Sequence, residues 1–88
     1  MTNLADLAKY NNDLYNNEMY ADDENTQNML ALLVRAASLT PQAQAEFVKV
    51  WNFEYALDGQ VRIPAHQRAI YPALVAEAAA AGIEIVAR

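Results

Sequence analysis

His66 and Ser38 are the residues from which hydrolytic chemistry would have to be built. They are the only imidazole and the only serine in the chain; Thr2, Thr26 and Thr40 complete the aliphatic hydroxyls, and there is no cysteine. A general base needs a nucleophile within hydrogen-bond reach and a third group to orient it. No nucleophile elbow, phosphate-binding loop or dinucleotide fingerprint accompanies these residues, since glycine occurs at positions 59 and 82 alone. Asp58-Gly59 reads more simply as a helix stop. A zinc site needs several nitrogen or sulfur ligands, and one histidine without cysteine falls short. Neither acidic run has the alternating oxygen ligands, central glycine and terminal glutamate of a calcium loop. The expectation is a protein that is not an enzyme, with no metal and no cofactor.

Charge is the second source of chemistry, and it is unevenly placed. The 88 residues carry 11 acidic and 6 basic groups, a net charge of −5. Residues 1–25 hold Asp6, Asp13, Glu18, Asp22, Asp23 and Glu24 against Lys9, which accounts for all of it. In residues 26–88 the five acids (Glu46, Glu54, Asp58, Glu77, Glu84) are balanced by five bases (Arg35, Lys49, Arg62, Arg68, Arg88). Seven of the eight asparagines fall in the first 28 residues, so composition also changes near residue 25.

The acidic segment carries Tyr10, Tyr15 and Tyr20. Tyr10-Asn11-Asn12-Asp13-Leu14 is echoed by Tyr15-Asn16-Asn17-Glu18-Met19. A five-residue step turns a helix by about 140°, so these rings share no face. Two copies and a degraded third are too few for a stacked repeat. Such a segment can be a solvated face that confers solubility, or a contact surface for a basic protein with tyrosine anchors. Mimicry of nucleic-acid phosphates is a thinner reading, because six carboxylates interrupted by Lys9 make a short imitation.

Other classes are disfavoured. The six basic residues are scattered along the chain, which argues against direct nucleic-acid binding. The longest apolar run, Met29 to Val34, is far short of the roughly 18 residues of a membrane span. Asp6 precedes any apolar block, unlike a secretory signal. The lack of cysteine suits a reducing compartment, and a cytoplasmic location is expected.

Helical patterning must position these groups. Thr2 can cap a first helix over about residues 3–20, with Leu4, Leu7, Ala8, Leu14 and Tyr15 on one face. The run 22–26 supplies N-cap candidates for a second helix, in which Met29, Leu30, Leu32, Leu33, Val34, Ala36 and Ala37 form a wide apolar arc. Thr40-Pro41 reads as N-cap and first turn of a third helix, ending at Asp58-Gly59. Val61–Ile63 is a short extended segment. Pro72 opens the main part of a fourth helix, which Gly82 stops, and Ile83–Val86 alternates like a strand. The two extended segments can pair in parallel across the intervening helix.

On a continuous third helix, Glu54 falls between Ala43 and Phe47 inside the apolar arc. The expected resolution is an arginine partner, drawn from Arg35, Arg62 and Arg68; the alternatives are a head group that reaches solvent past its neighbours and an acid at a binding cleft or subunit interface. Phe47, Trp51 and Tyr55, spaced by four, form one ridge that can serve as core or as a partner-binding hot spot.

The sequence therefore points to a single small domain, mainly α, with three to four helices and a short C-terminal strand pair. Residues 1–25 form its acidic segment and 26–88 its charge-balanced body. The expected function is that of a small adaptor or inhibitor of bacterial or phage type. Its contact residues would be Asp13, Tyr15, Glu18, Tyr20, Asp22, Asp23, Glu24, Trp51, Glu54 and Tyr55. The expected partner is a basic protein, with nucleic-acid-binding proteins among the candidates. The alternative is an assembly subunit, a homo-oligomer joined through helix three and the unpaired edge of the terminal strand.

Overall fold

A computed structural model describes residues 3–15 and 24–87. Helix α1 (Leu4–Tyr15) opens at Asn3 rather than Thr2. The Asn3 side chain accepts from the Asp6 N–H at 2.9 Å, and the Asp6 carboxylate accepts from the Asn3 N–H at 3.3 Å. This is a reciprocal capping box, with aspartate in the place usually held by glutamate or glutamine. Leu4 and Leu7 lie half-buried against the core. The rest of the first expected helix, residues 16–20, lies outside the described residues.

Helix α2 (Glu24–Ala36) begins in the acidic run, five residues ahead of the first residue of the apolar arc, Met29. Met29, Leu32, Leu33 and Ala36 are buried with the spacing of one helical face. Val34 points the other way and is 73% exposed, so the buried stripe is narrower than the sequence arc. The helix end is satisfied locally: Gln44 donates to Ala37 O at 3.2 Å and Leu39 O at 2.9 Å.

The third expected helix is two. Helix α3 spans Pro41–Val50 and α4 spans Phe53–Ala56. Between them Trp51 and Asn52 are extended, with ψ of 128° and 118°. Asn52 causes a new start, because its side chain accepts from the Glu54 N–H at 3.0 Å and caps α4. The break resets the helical phase. The broad arc read over residues 41–57 is thus the sum of two narrower ones.

Strand β1 (Gln60–Arg62) leads through Pro64 into a 3-10 helix (Ala65–Ile70), then α5 (Pro72–Glu77) and β2 (Glu84–Val86). The strands pair in parallel, Gln60 with Glu84, Val61 with Ile85 and Arg62 with Val86. The expected crossover is therefore formed, and the protein is mainly α with a small β component. Gly59 and Gly82 adopt φ of 73° and 76°, the left-handed conformation that ends the helices before them. After Gly82, the Ile83 N–H donates back to Ala78 O at 2.8 Å. The core runs from α2 through α3 and α4 to the strands and α5; Phe47, Met29, Leu32, Ile63 and Leu74 are its largest enclosed side chains.

Candidate functional site

The acidic surface is described in part. Asp6 and Glu24 are exposed in the first turns of α1 and α2. Negative charge there is favoured by the positive ends of the helix dipoles. Asp13 and Tyr15 fall on α1; their side chains, and all of Glu18, Tyr20, Asp22 and Asp23, lie outside the described residues. Helix α1 packs on α2 and, less extensively, on α3. The start of the acidic segment is therefore joined to the folded body.

The aromatic ridge is split by the break at residues 51–52. Phe47 is fully buried, with its ring centroid 5.6 Å from that of Trp51 at a 51° tilt. Trp51 is half-buried at the end of α3. Tyr55 sits on α4, where the Arg62 guanidinium lies 5.7 Å from its ring centroid, a cation–π distance. Two residues after Trp51, Phe53 is 47% exposed. So Phe47 is core, while Trp51, Phe53 and Tyr55 reach the surface near the break.

Glu54 is exposed and sits in the first turn of α4. Its expected arginine partner is not found among the described residues. Arg62 engages Tyr55, and the Arg35 side chain lies along Gly82, 3.6 Å from where a Cβ would stand. Glu54 falls inside the apolar arc only on an unbroken helix, and the break at residues 51–52 places it at the surface.

Among the described residues the buried acid is Glu46, at 3% exposure. One carboxylate oxygen accepts from the Leu74 N–H at 3.0 Å, the other from the Gln42 side-chain amide at 2.8 Å. Leu74 is the third residue of α5, whose N-cap position, Tyr71, offers no side-chain bond. Glu46 thus caps α5 from across the helix interface. Glu77, on α5, does the reverse. Its carboxylate accepts from the Thr40 N–H at 2.9 Å and the Thr40 hydroxyl at 2.6 Å, at the N-terminus of α3. These two hydrogen bonds, the hydroxyl first, hold the Glu77 carboxyl below the usual glutamate range. Each helix therefore supplies a carboxylate to the other's start.

Beside Glu77 an open hollow of about 270 Å³ is lined by Ser38, Leu39, Ala76, Glu77, Ala80 and Ala81. Both Glu77 oxygens are engaged, and the Ser38 hydroxyl donates to Arg35 O at 2.8 Å. His66 is exposed on the 3-10 helix and Ser38 on the turn after α2. Among the described residues no group of three metal-binding side chains converges, and no helix is long and apolar enough to cross a membrane.

The class defined by this arrangement is a small helical domain closed by a parallel strand–helix–strand unit. Comparison with protein families, with curated proteins and with solved structures found no match.

Proposed function

We propose that the protein is a non-enzymatic interaction module, a small adaptor or inhibitor of cytoplasmic, phage-type character. Its acidic, tyrosine-bearing N-terminal segment meets a basic partner protein. One observation carries this reading: residues 1–25 account for the entire net charge of −5, while the remaining 63 are electrically balanced. Solubility alone would be served as well by charge spread over the whole surface. Concentrated charge steers and orients a complementary partner. Exposed Asp6 and Glu24 carry two of its charges, and the packing of α1 on α2 joins the start of the segment to the folded body.

The test is capture from native lysate with the intact chain and with a variant carrying Asp13→Asn, Glu18→Gln, Asp22→Asn, Asp23→Asn and Glu24→Gln. Basic proteins retained by the wild type at low salt, and lost both at high salt and with the variant, support the module. Equal retention by both chains removes the acidic segment from the function.

A second reading, self-assembly, is favoured by the sheet. Its two strands of three residues each are fewer than the three or more that usually give independent stability. In this reading a second copy would extend the sheet, with Trp51 and Phe53 adding apolar contact. Light scattering after size exclusion separates the readings: a strict monomer at high concentration counts against assembly.

A further inference from the structure

Strand β2 leaves one edge of the sheet open. The Ile63 N–H donates to Val86 O at 2.9 Å, and Ile85 lies opposite Val61. Alternate residues of a strand aim both N–H and C=O at the same neighbour. Glu84 and Val86 therefore aim at β1, and Ile85 aims away from it. The Ile85 N–H and C=O have no hydrogen-bond partner among the described residues. Among the described elements, β1 is the main packing partner of β2. The Ile85 side chain is half-buried on the core face beside buried Val61, while Glu84 is exposed.

We propose that β2 pairs antiparallel with β2 of a second copy, about a two-fold axis at Ile85, so that the two sheets join into one. This deepens the self-assembly reading and rests on it. Each Ile85 N–H donates to the Ile85 C=O of the other copy, and each Ala87 N–H meets an Ile83 C=O. The Ile83 N–H is already given to Ala78 O at 2.8 Å, which bounds the ladder. Val61 and Ile85 of both copies then form one apolar row on the core face. Charge selects this edge over that of β1. Pairing about Ile85 sets Glu84 opposite Val86 of the second copy, so no like charges meet. The outer edge of β1 centres on Arg62, and self-pairing there would oppose two arginines, which is destabilising. Two-fold pairing also uses the β2 edge of both copies, which closes the assembly at a dimer.

Analytical ultracentrifugation of the wild type, Val86→Glu and Val86→Lys tests the register. In the proposed dimer, position 86 of each copy faces Glu84 of the other. Val86→Glu sets like charges there and Val86→Lys opposite ones. The glutamate variant should therefore dimerise at least about fivefold more weakly than the lysine variant at low salt. Within one copy, position 86 lies beside Arg62, so the monomer fold ranks the two variants in the opposite order. A weaker glutamate dimer is thus not the result of a damaged fold, and urea midpoints of both variants verify this. Equal dimers in the two variants, or a stronger one with glutamate, overturn the β2 pairing while leaving self-assembly through another face. A wild type that stays monomeric at high concentration overturns the pairing and the self-assembly reading together. Growth beyond the dimer overturns the two-fold closure.

Discussion

Replacing Glu46 by leucine separates two accounts of a buried carboxylate. If Glu46 were merely a charge trapped in the core, an apolar residue of similar volume would be neutral or stabilising. The structure gives it a task instead. At 3% exposure it accepts from the Leu74 N–H at 3.0 Å, and Leu74 is itself fully buried. Leucine would leave that amide without an acceptor, which costs about 1–3 kcal/mol. Gln42 is exposed and can return its amide to water, so its loss adds little. Relief of carboxylate desolvation offsets part of the cost, leaving a net loss of about 2 kcal/mol. In a domain of this length that lowers the melting midpoint by roughly 10 °C. Glu46→Gln retains the acceptor and can donate to the Gln42 carbonyl once that amide turns over, so its loss should stay under about 1 kcal/mol. The assay is urea unfolding at neutral pH, read as a change in midpoint at constant slope. A leucine variant as stable as the glutamine variant would refute the capping argument.

Other outcomes follow from the same geometry. Glu54→Gln and Glu54→Leu should each change stability by less than about 0.5 kcal/mol in thermal melts, because Glu54 is exposed and unpaired among the described residues. Phe47→Ala should cost about 3–5 kcal/mol by the same denaturation assay, since its ring is wholly enclosed. Gly59→Ala should cost about 1 kcal/mol from the left-handed backbone alone, because a Cβ there meets nothing nearer than Asn28 O at 3.8 Å. Glu77 is held below its ordinary range when folded. Its stabilising contribution is therefore present above the unfolded glutamate pKa and is lost as pH falls through the lower folded value. The stability gap between wild type and Glu77→Gln should accordingly narrow on acidification over that range.

Much of the architecture could be read from residue types. Thr40-Pro41 marked the start of α3 because a hydroxyl cap and a fixed φ both favour a helix N-terminus. Gly59 and Gly82 marked stops because left-handed backbone favours glycine. Strand pairing followed from two short β-branched segments flanking a helix. What escaped was the break at Trp51-Asn52. Asn52 had the chemistry of an N-cap, yet the apolar spacing ran through it, and periodicity overrode the local signal. The break places Glu54 at the surface and leaves Glu46 as the buried acid among the described residues. The signal for Glu46 was present: it lies one turn from Ala43 and from Val50 on the same helix, with Gln42 four residues before it. The reciprocal caps were not legible, because the Glu46–Leu74 and Thr40–Glu77 pairs are 28 and 37 residues apart in sequence and no local pattern joins them.

The central claim is that the first 25 residues face a basic partner. Zero-length carbodiimide coupling of the wild-type complex, captured from lysate at low salt, joins carboxylates to partner lysines and reports directly which acids make contact. The account predicts that the linked residues are Asp13, Glu18, Asp22, Asp23 and Glu24, and that links disappear as salt is raised. Links centred on Glu54, Asp58 and Glu84, with none in the N-terminal segment, would contradict it.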